Sequence, residues 1–334
     1  MKPSCRITVD GKLVSGIFQS RIISCEVTDK EGVSSDTVRI QLNDFPPAAI
    51  PRKGALIKVW MGYGIVGMAY MGAFAAEEIE VEILPYRLTI TGKAAEMRGK
   101  VKQNRERHWD QKTLKDVVGQ VAGEHGLEPK VDDAIGAHVY DWLGQQNESD
   151  IHFVERLAER HDAIFSVKDG KLIFAARGSG QSTSGAELTP IVVTPAILQP
   201  DSCRIRFTDR TQYKSVKASY SDLAKARKVD VEEPSDPDGA AVYRIGEQLA
   251  DEAEATAAAK SKAKELKRRQ ASFSCAIVGD PTARAGAPLS FAGCRSGVDG
   301  LAFIIETATH RYATSGYTTS LDGQSRDGQA APQG

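Results

Sequence analysis

Glu148, Asp150 and His152 stand at every second position of one polar run, two carboxylates and an imidazole that could serve as general acid and base. The surrounding residues predict a helix, and on a helix that spacing spreads the three over different faces. Ile151, Val154 and Ala158, with Phe153 and Leu157 beside them, make an apolar face at helical spacing, and Asn147 or Ser149 is placed to cap. Glu148 and Asp150 then sit where the positive end of the helix dipole favours acids. Asp150 read as a cap should contribute about 1 kcal/mol. Phe153 and Leu157 are expected to be buried, fixing this segment against a β-domain, with Glu155 and Glu159 facing water or a neighbouring subunit. As a core residue, Leu157 should cost about 2–5 kcal/mol when cut to Ala.

Other candidates are weaker. His310 between Glu306 and Tyr312 suggests acid–base work, but a strand-end histidine bonded locally is the better account. The histidines at 108, 125, 138, 152, 161 and 310 show no His-Glu-x-x-His spacing. Asp230, Glu232, Glu233, Asp236 and Asp238 are suited to calcium but lack the ordered spacing of an EF-hand, so residues 230–239 read as an exposed acidic loop. Met61-Gly62-Tyr63-Gly64 follows a strand with no helix behind it, which favours a hairpin loop over a phosphate cradle. Neither a Gly-x-Ser-x-Gly elbow nor a Walker-type loop is present. Cys5, Cys25, Cys203, Cys275 and Cys294 are odd in number and widely spread, which predicts reduced, buried thiols rather than a disulfide frame or zinc site. No catalytic, cofactor-binding or metal residue is expected, and the chain reads as a non-enzyme.

A chain of 334 residues with 41% hydrophobic and 26% charged residues has room for two or three cored domains. A net charge of −1 gives no reason to expect nucleic acid as a partner, and no helix-turn-helix pattern or basic stripe appears. No apolar run approaches a membrane span, and residues 1–20 lack the order of a secretion signal, so synthesis in a cytoplasm is expected.

The elements that must position these residues are mostly strands. Cys5–Val9, Ile22–Val27, Thr37–Leu42, Leu56–Trp60, Phe74–Glu80 and Leu88–Thr91 read as short strands, with Asp10-Gly11 a turn and Asn43-Asp44-Phe45-Pro46-Pro47 a stop. From residue 109 the pattern changes. Thr113 and Asp116 form a modest capping-box variant before Leu114, Val117, Val118, Val121 and Ala122, and Gly126 is placed to end that helix. Ile164–Val167 and Leu172–Ala175 flank a hairpin turn at Lys168-Asp169-Gly170-Lys171, and Arg177–Gly185 reads as a flexible connection. Strands resume at Ser202–Phe207 and Ser215–Tyr220. The longest helix runs near 245–270, its acids early and its bases late, as the macrodipole favours. Strands at Phe273–Val278, Leu301–Glu306 and Tyr317–Leu321 follow. The expected fold is α+β, mainly β. Residues 1–105 form a first β-barrel-like domain, 106–190 an α/β insertion, 191–322 a second β-barrel-like domain carrying the helix, and 323–334 a disordered tail.

The two β-regions echo each other. Lys53-Gly54-Ala55-Leu56-Ile57 is answered by Ala285-Gly286-Ala287-Pro288-Leu289 about 230 residues on. Phe74 to Glu78 with Ile79 is answered by Phe303-Ile304-Ile305-Glu306, and Leu88-Thr89-Ile90 by Tyr317-Thr318-Thr319 with Leu321. The near-constant offset predicts two related domains, in which the strand near Phe74 matches the strand near Phe303.

The wording at Glu148-Ser149-Asp150, Phe153, Arg156-Leu157-Ala158-Glu159 resembles the signature of tail hub proteins. These are the late control gene D family of contractile-tailed phages and the valine-glycine-repeat spike proteins of type VI secretion. The likeness continues through Gly279-Asp280-Pro281, Ala285-Gly286, Gly297-Val298-Asp299-Gly300, Ile305-Glu306, His310 and Gly316 to Leu321. It implies a structural baseplate hub of a contractile phage tail or a phage-derived bacteriocin. Such a hub is a homotrimeric ring that adapts the sixfold tail tube to the threefold membrane-piercing spike. Implied partners are further copies of the chain, the spike, the tube or its initiator, and the tape-measure protein and baseplate wedge. Neither nucleic-acid specificity nor a stable membrane anchor is implied. The alternative is a tail-tip peptidoglycan hydrolase using paired acids, whose separation the sequence does not fix.

Overall fold

The computed structural model describes residues 2–13, 20–32, 36–64, 67–94, 103–168, 170–178, 187–222 and 227–326. The first β-region contains β1 (Pro3–Val9), β2 (Lys12–Leu13), β3 (Ile22–Lys30), β4 (Thr37–Asn43), β5 (Leu56–Tyr63), β6 (Gly67–Glu82) and β7 (Arg87–Ala94). Period-2 alternation buries one face of each; on β4 that face is Val38, Ile40 and Leu42, as the pattern predicts. These side chains meet Ile57, Val59, Met61, Phe74 and Leu88 in one core. Asp10 and Gly11 turn with positive φ between β1 and β2.

A second unit follows: β8 (Asn104–Thr113), α1 (Leu114–Glu124), β9 (Glu128–Val131), α2 (Asp133–Gly136), β10 (Val139–Ser149), α3 (Asp150–Arg160), β11 (Ala163–Lys168) and β12 (Lys171–Ala176). Thr113 and Asp116 form the reciprocal capping box. Ser149 caps α3, accepting from the His152 amide. Asn147 lies instead in strand β10 with φ 48°, where the ladder to β8 shifts register. The hairpin between β11 and β12 pairs Lys168 with Lys171, although Asp169 itself lies outside the described residues, as does most of the expected connection after Gly178.

The last region holds β13 (Ile191–Val193), β14 (Arg204–Phe207), β15 (Tyr213–Asp222), β16 (Arg227–Pro234), β17 (Ala241–Leu249), α4 (Glu252–Arg268), β18 (Ala271–Val278), β19 (Pro288–Phe291), β20 (Ala302–Ala313) and β21 (Gly316–Ser325). Three expectations are corrected here. The long helix starts at Glu252, not near 245, because Val242, Tyr243 and Ile245 belong to β17, paired in parallel with β15. Asp251 provides the cap, accepting from Glu254 N at 2.7 Å. The segment 230–239 is not wholly loop, since Arg227–Pro234 is strand β16, antiparallel to β15. Val229 and Val231 alternate there with Asp230 and Glu232, whose carboxylates pair with Arg244 at 3.3 Å and Lys217 at 3.0 Å. The third correction concerns the tail. Strand β21 continues to a buried Ser325, paired with β18 and β20, and only the part from 327 on lies outside the described residues.

Among the described residues the main sheet has thirteen strands, and its principal path is β14-β18-β21-β20-β3-β4-β7-β6-β5-β1-β2. Among the described residues this path does not close into a barrel. Within it the two β-regions repeat one order. The first runs β1-β5-β6-β7-β4-β3, the second β13-β19-β20-β21-β18-β14. Registers agree as well. Phe74 faces Ala94 and Ala76 faces Gly92, a bulge sets Glu77 aside, and Ile79 faces Ile90. Phe303 faces Ser325 and Ile305 faces Gly323, a bulge sets Glu306 aside, and Ala308 faces Leu321. Gly54 donates to Ala76 O at 2.7 Å and Gly286 to Ile305 O at 2.7 Å, with φ 83° and 84°. Phe74 and Phe303 therefore occupy matching places, as do Gly54 and Gly286. Two details of the sequence echo shift: Glu306 corresponds to Glu77 rather than Glu78, and Leu88-Thr89-Ile90 corresponds to Thr319-Ser320-Leu321. The regions differ in their outermost pair, antiparallel for β1–β5 and parallel for β13–β19.

Candidate functional site

Asp150 is the first residue of α3, and its side chain is fully buried. Strand β8 lies across the helix start, and β10 delivers Gln145 beside it. Oδ1 of Asp150 accepts from Arg107 Nη2 at 2.7 Å and Gln145 Nε2 at 2.9 Å, while Oδ2 lies 2.8 Å from His125 Nε2 and 3.5 Å from Arg105 Nε. Glu124 at the end of α1 holds both arginines from the other side. The Arg107 guanidinium stands 4.7 Å from the centre of the Trp109 ring, which stacks on Phe153 at 4.9 Å. Asp150 is thus a buried counter-ion binding α3 to β8 and α1. The capping role assigned to it from sequence belongs to Ser149.

The other members of the polar run point elsewhere. Glu148 pairs with Arg156, and His152 is exposed. Phe153 and Leu157 are buried, but in the core of the α/β unit itself, among Leu114, Val118, Tyr140 and Phe174. What joins this unit to its neighbours is charge, not that apolar face. Lys168 reaches Asp36 at 3.2 Å and also Asp29, whose other oxygen accepts from Ala285 N at 3.1 Å. Arg177 lies 3.3 Å from Glu31. Arg160 pairs with Glu254 and Glu247, Asp162 accepts from Arg268 at 2.7 Å, and Ser261 donates to Glu159 O. A missed signal lay in the sequence: Arg160, Asp162 and Lys168 bracket the end of the signature segment. Burial and the neighbouring Asp29 push the Asp36 carboxyl up to about 6. Glu159 faces outward as expected, and Glu155 is half-buried.

His310 is buried on β20. Its Nε2 lies 3.0 Å from Ala283 O, which only accepts, so Nε2 carries the proton and Nδ1 accepts from Tyr317 Oη at 3.0 Å or Thr319 Oγ1 at 3.2 Å. Burial, reinforced by Arg284, lowers its pKa to about 4. Such an imidazole stays neutral in the fold while the unfolded chain takes up a proton below about pH 6.5, so stability falls as pH drops from there toward 4. Its contribution should decline by about 2 kcal/mol between pH 7 and pH 5. Urea midpoints of the native chain and His310→Asn at both pH values test this. The native chain should lose more stability on acidification than the variant, and equal losses would remove His310 from the account. Asp36 works in the opposite sense, its raised pKa penalising the fold as pH rises through about 6, and does so in both proteins.

Among the described residues the remaining candidates lie apart from one another. Met61, Gly62, Tyr63 and Gly64 lie at the end of β5, where Tyr63 donates to Gly279 O at 2.9 Å. Cys5, Cys25 and Cys275 are buried thiols, whereas Cys203 is exposed and Cys294 half-buried, which corrects the uniform burial expected for all five. Among the described residues no group of His, Cys, Asp and Glu is arranged to hold a metal ion, and no helix is long and apolar enough to cross a membrane.

The profile of the family described as phage tail baseplate hub (GPD) matches residues 37–316. The probable baseplate hub protein of Escherichia phage 186 is 28% identical over 370 residues, covering 96% of this chain and 92% of the relative. The structure of the 43 kDa tail protein of prophage MuSo2 from Shewanella oneidensis superposes with a TM-score of 0.75 at 13% identity, covering 98% of this chain and 99% of that one. The E. coli c3393 protein, a component of the type VI secretion system, follows with a TM-score of 0.61 at 10% identity, covering 98% of this chain and 79% of that one.

Proposed function

The chain belongs to the phage tail baseplate hub family, and from that premise we propose that it assembles as a trimeric ring adapting the sixfold tail tube to the threefold spike. The observation that carries this reading is the internal repeat. One strand order, one register and one bulge position occur twice in the chain, joined edge to edge where β3 meets β20. Two related β-domains per subunit would give a threefold ring six similar faces, which is what docking onto a sixfold tube requires. In this reading the chain up to residue 103 and residues 191–325 are the two hub domains, barrel-like once the ring closes, and 104–190 is an inserted α/β unit clamped to both by ion pairs.

The work of the protein is then assembly. The carboxylates that suggested acid–base chemistry are each matched by cations: Asp150 by Arg105 and Arg107, with His125 Nε2 2.8 Å from its other oxygen, and Glu148 by Arg156. The spike below, the tube or its initiator above, and the tape-measure protein are the partners this role calls for. They would meet the hub in the tail baseplate of a phage or of a phage-derived bacteriocin. Native mass measured for the chain alone and co-expressed with the tail spike tests the reading. A three-copy species, formed alone or with the spike, is the expected result. A stable dimer indifferent to the spike would overturn it.

A further inference from the structure

The junction that joins the two β-regions inside one chain has counterparts with an open side among the described residues, the end strand β14 and the part of β6 that runs past β5. Within the chain, Thr307–Ala313 of β20 pairs on one side with β21 and on the other with Ser24–Lys30 of β3. The repeat makes β6 the counterpart of β20, and β14 the counterpart of β3. Yet among the described residues β14 pairs with β18 alone. On β6, pairing with β5 reaches only Ala75, so Glu78–Glu82 pairs with β7 alone.

We propose that β14 of one copy adds antiparallel to Glu78–Glu82 of β6 in the next copy, repeating between chains the β3–β20 junction found within one. This inference rests on the ring reading above and identifies its seam. The internal register fixes the pairing. Val81 faces Leu88 as His310 faces Thr319, so Val81 stands for His310. Ile205 faces Phe273 as Val27 faces Val38, so Ile205 stands for Val27. His310 faces Val27, with Thr309 opposite Thr28 and Arg311 opposite Glu26. Transferred to the outer edges, that register sets Val81 against Ile205, Glu80 against Arg206, Glu82 against Arg204 and Ile79 against Phe207.

The side chains fit this register on both faces. Both charged positions bring opposite signs together, as Arg311 and Glu26 do in the internal junction, and cross-strand pairs of that kind favour association. Arg204, Arg206 and Glu80 are exposed. Glu82 has only a half-exposed contact to Arg87 at 3.4 Å, weak enough to be exchanged. On the opposite face Val81 is 45% exposed, and Ile79, Ile205 and Phe207 are half-buried. Their counterparts Val27, Ala308 and His310 are fully covered in the internal junction. An unpaired edge carrying Ile79 and Val81 invites association unless something pairs with it, and a second copy supplies a strand of matching pattern. Because the two edges differ, each copy offers one and uses the other, a head-to-tail contact that closes when the rotation allows.

Cysteine pairing tests the seam. In a Cys203→Ser background, the Val81→Cys/Ile205→Cys double variant, oxidised at high protein concentration, should give a denaturing-gel ladder that ends at three chains. An equimolar mixture of the two single variants should cross-link, and neither single variant should do so alone. Glu80→Arg/Glu82→Arg and Arg204→Glu/Arg206→Glu should each abolish the three-chain species, and their combination in one chain should restore it. A three-chain mass without a cross-link between the two introduced thiols, or one indifferent to the charge reversals, would overturn the seam and leave the ring standing. Cross-linking of the Val81→Cys variant only to a different tail protein would also overturn it. No multi-chain species at any concentration, alone or with the spike, would overturn both.

Discussion

Asp150→Ala should lower the stability of the fold by about 3–5 kcal/mol, several times the effect of removing a helix cap. Its carboxylate is fully buried and meets Arg107, Arg105, His125 and Gln145. Removing it leaves two guanidinium groups facing each other, with Glu124 as their remaining counter-ion. The arginine side chains are 19% and 30% exposed, so water can reach them, and this places the effect toward the lower end of that range. Asp150→Asn keeps the volume and an acceptor but not the charge, and should lie between Ala and the native residue. Urea denaturation followed by far-UV circular dichroism measures both. Leu157→Ala, which opens a cavity in the same core, is the calibration at about 2–5 kcal/mol. A cost for Asp150→Ala of about 1 kcal/mol or less would mean that the cluster behaves as a surface network and that the capping account was adequate. Normal stability with lost tail assembly would instead make this segment an interface.

Much of this fold was legible in the sequence because its strands are amphipathic. Val38-x-Ile40-x-Leu42 has one buried face, and period-2 reading finds it. What escaped had no such contrast. Strand β8 is Asn-Arg-Glu-Arg-His-Trp-Asp-Gln-Lys-Thr, polar except for Trp109, and a single buried ring facing Leu143 of β10 makes no period-2 stripe for sequence reading to find. The end of strand β17, from Ile245 to Leu249, reads from sequence as the start of the helix after it because Glu247, Gln248 and Leu249 fit a helix as well as a strand. Only the parallel ladder to β15 decides between them. Asp150 itself was misread for a related reason. A carboxylate at a helix start satisfies a local rule, and nothing nearby in sequence reveals that Arg105 and Arg107 arrive from a strand more than forty residues earlier. The echo between Gly54 and Gly286 was legible because a positive φ restricts the position to glycine, whereas the strands around it preserve only their apolarity. The outer edges carry their information in charge order, which acquires meaning only after the internal junction supplies a register.

The second large effect should come from Gly323→Ala, and comparison with Gly92→Ala turns it into a test of the repeat. Gly92 faces Ala76 and Gly323 faces Ile305, each immediately before the bulge formed by Glu77 or Glu306. At both places the ladder draws the glycine against the carbonyl of the residue one earlier on the partner strand. A Cβ on Gly92 would lie 3.0 Å from Ala75 O and 3.1 Å from Val38 Cγ1, close enough to require a small shift of its neighbours. A Cβ on Gly323 would press far inside contact distance of Ile304 O and lie 2.6 Å from the Phe273 ring. The first obstruction includes a side-chain methyl that can give way, whereas the second is backbone held in a central ladder by β19 and β21. Gly92→Ala should therefore cost about 1–2 kcal/mol and Gly323→Ala about 3 kcal/mol or more, both read from urea midpoints. The asymmetry matters because Ile304–Thr307 carries the chain from the β19 ladder into the junction with β3. Displacing it would disturb the join between the two halves as well as one strand. If Gly323→Ala were as mild as Gly92→Ala, the tight approach at β20 would be accommodated locally, and the join between the two halves would not depend on it.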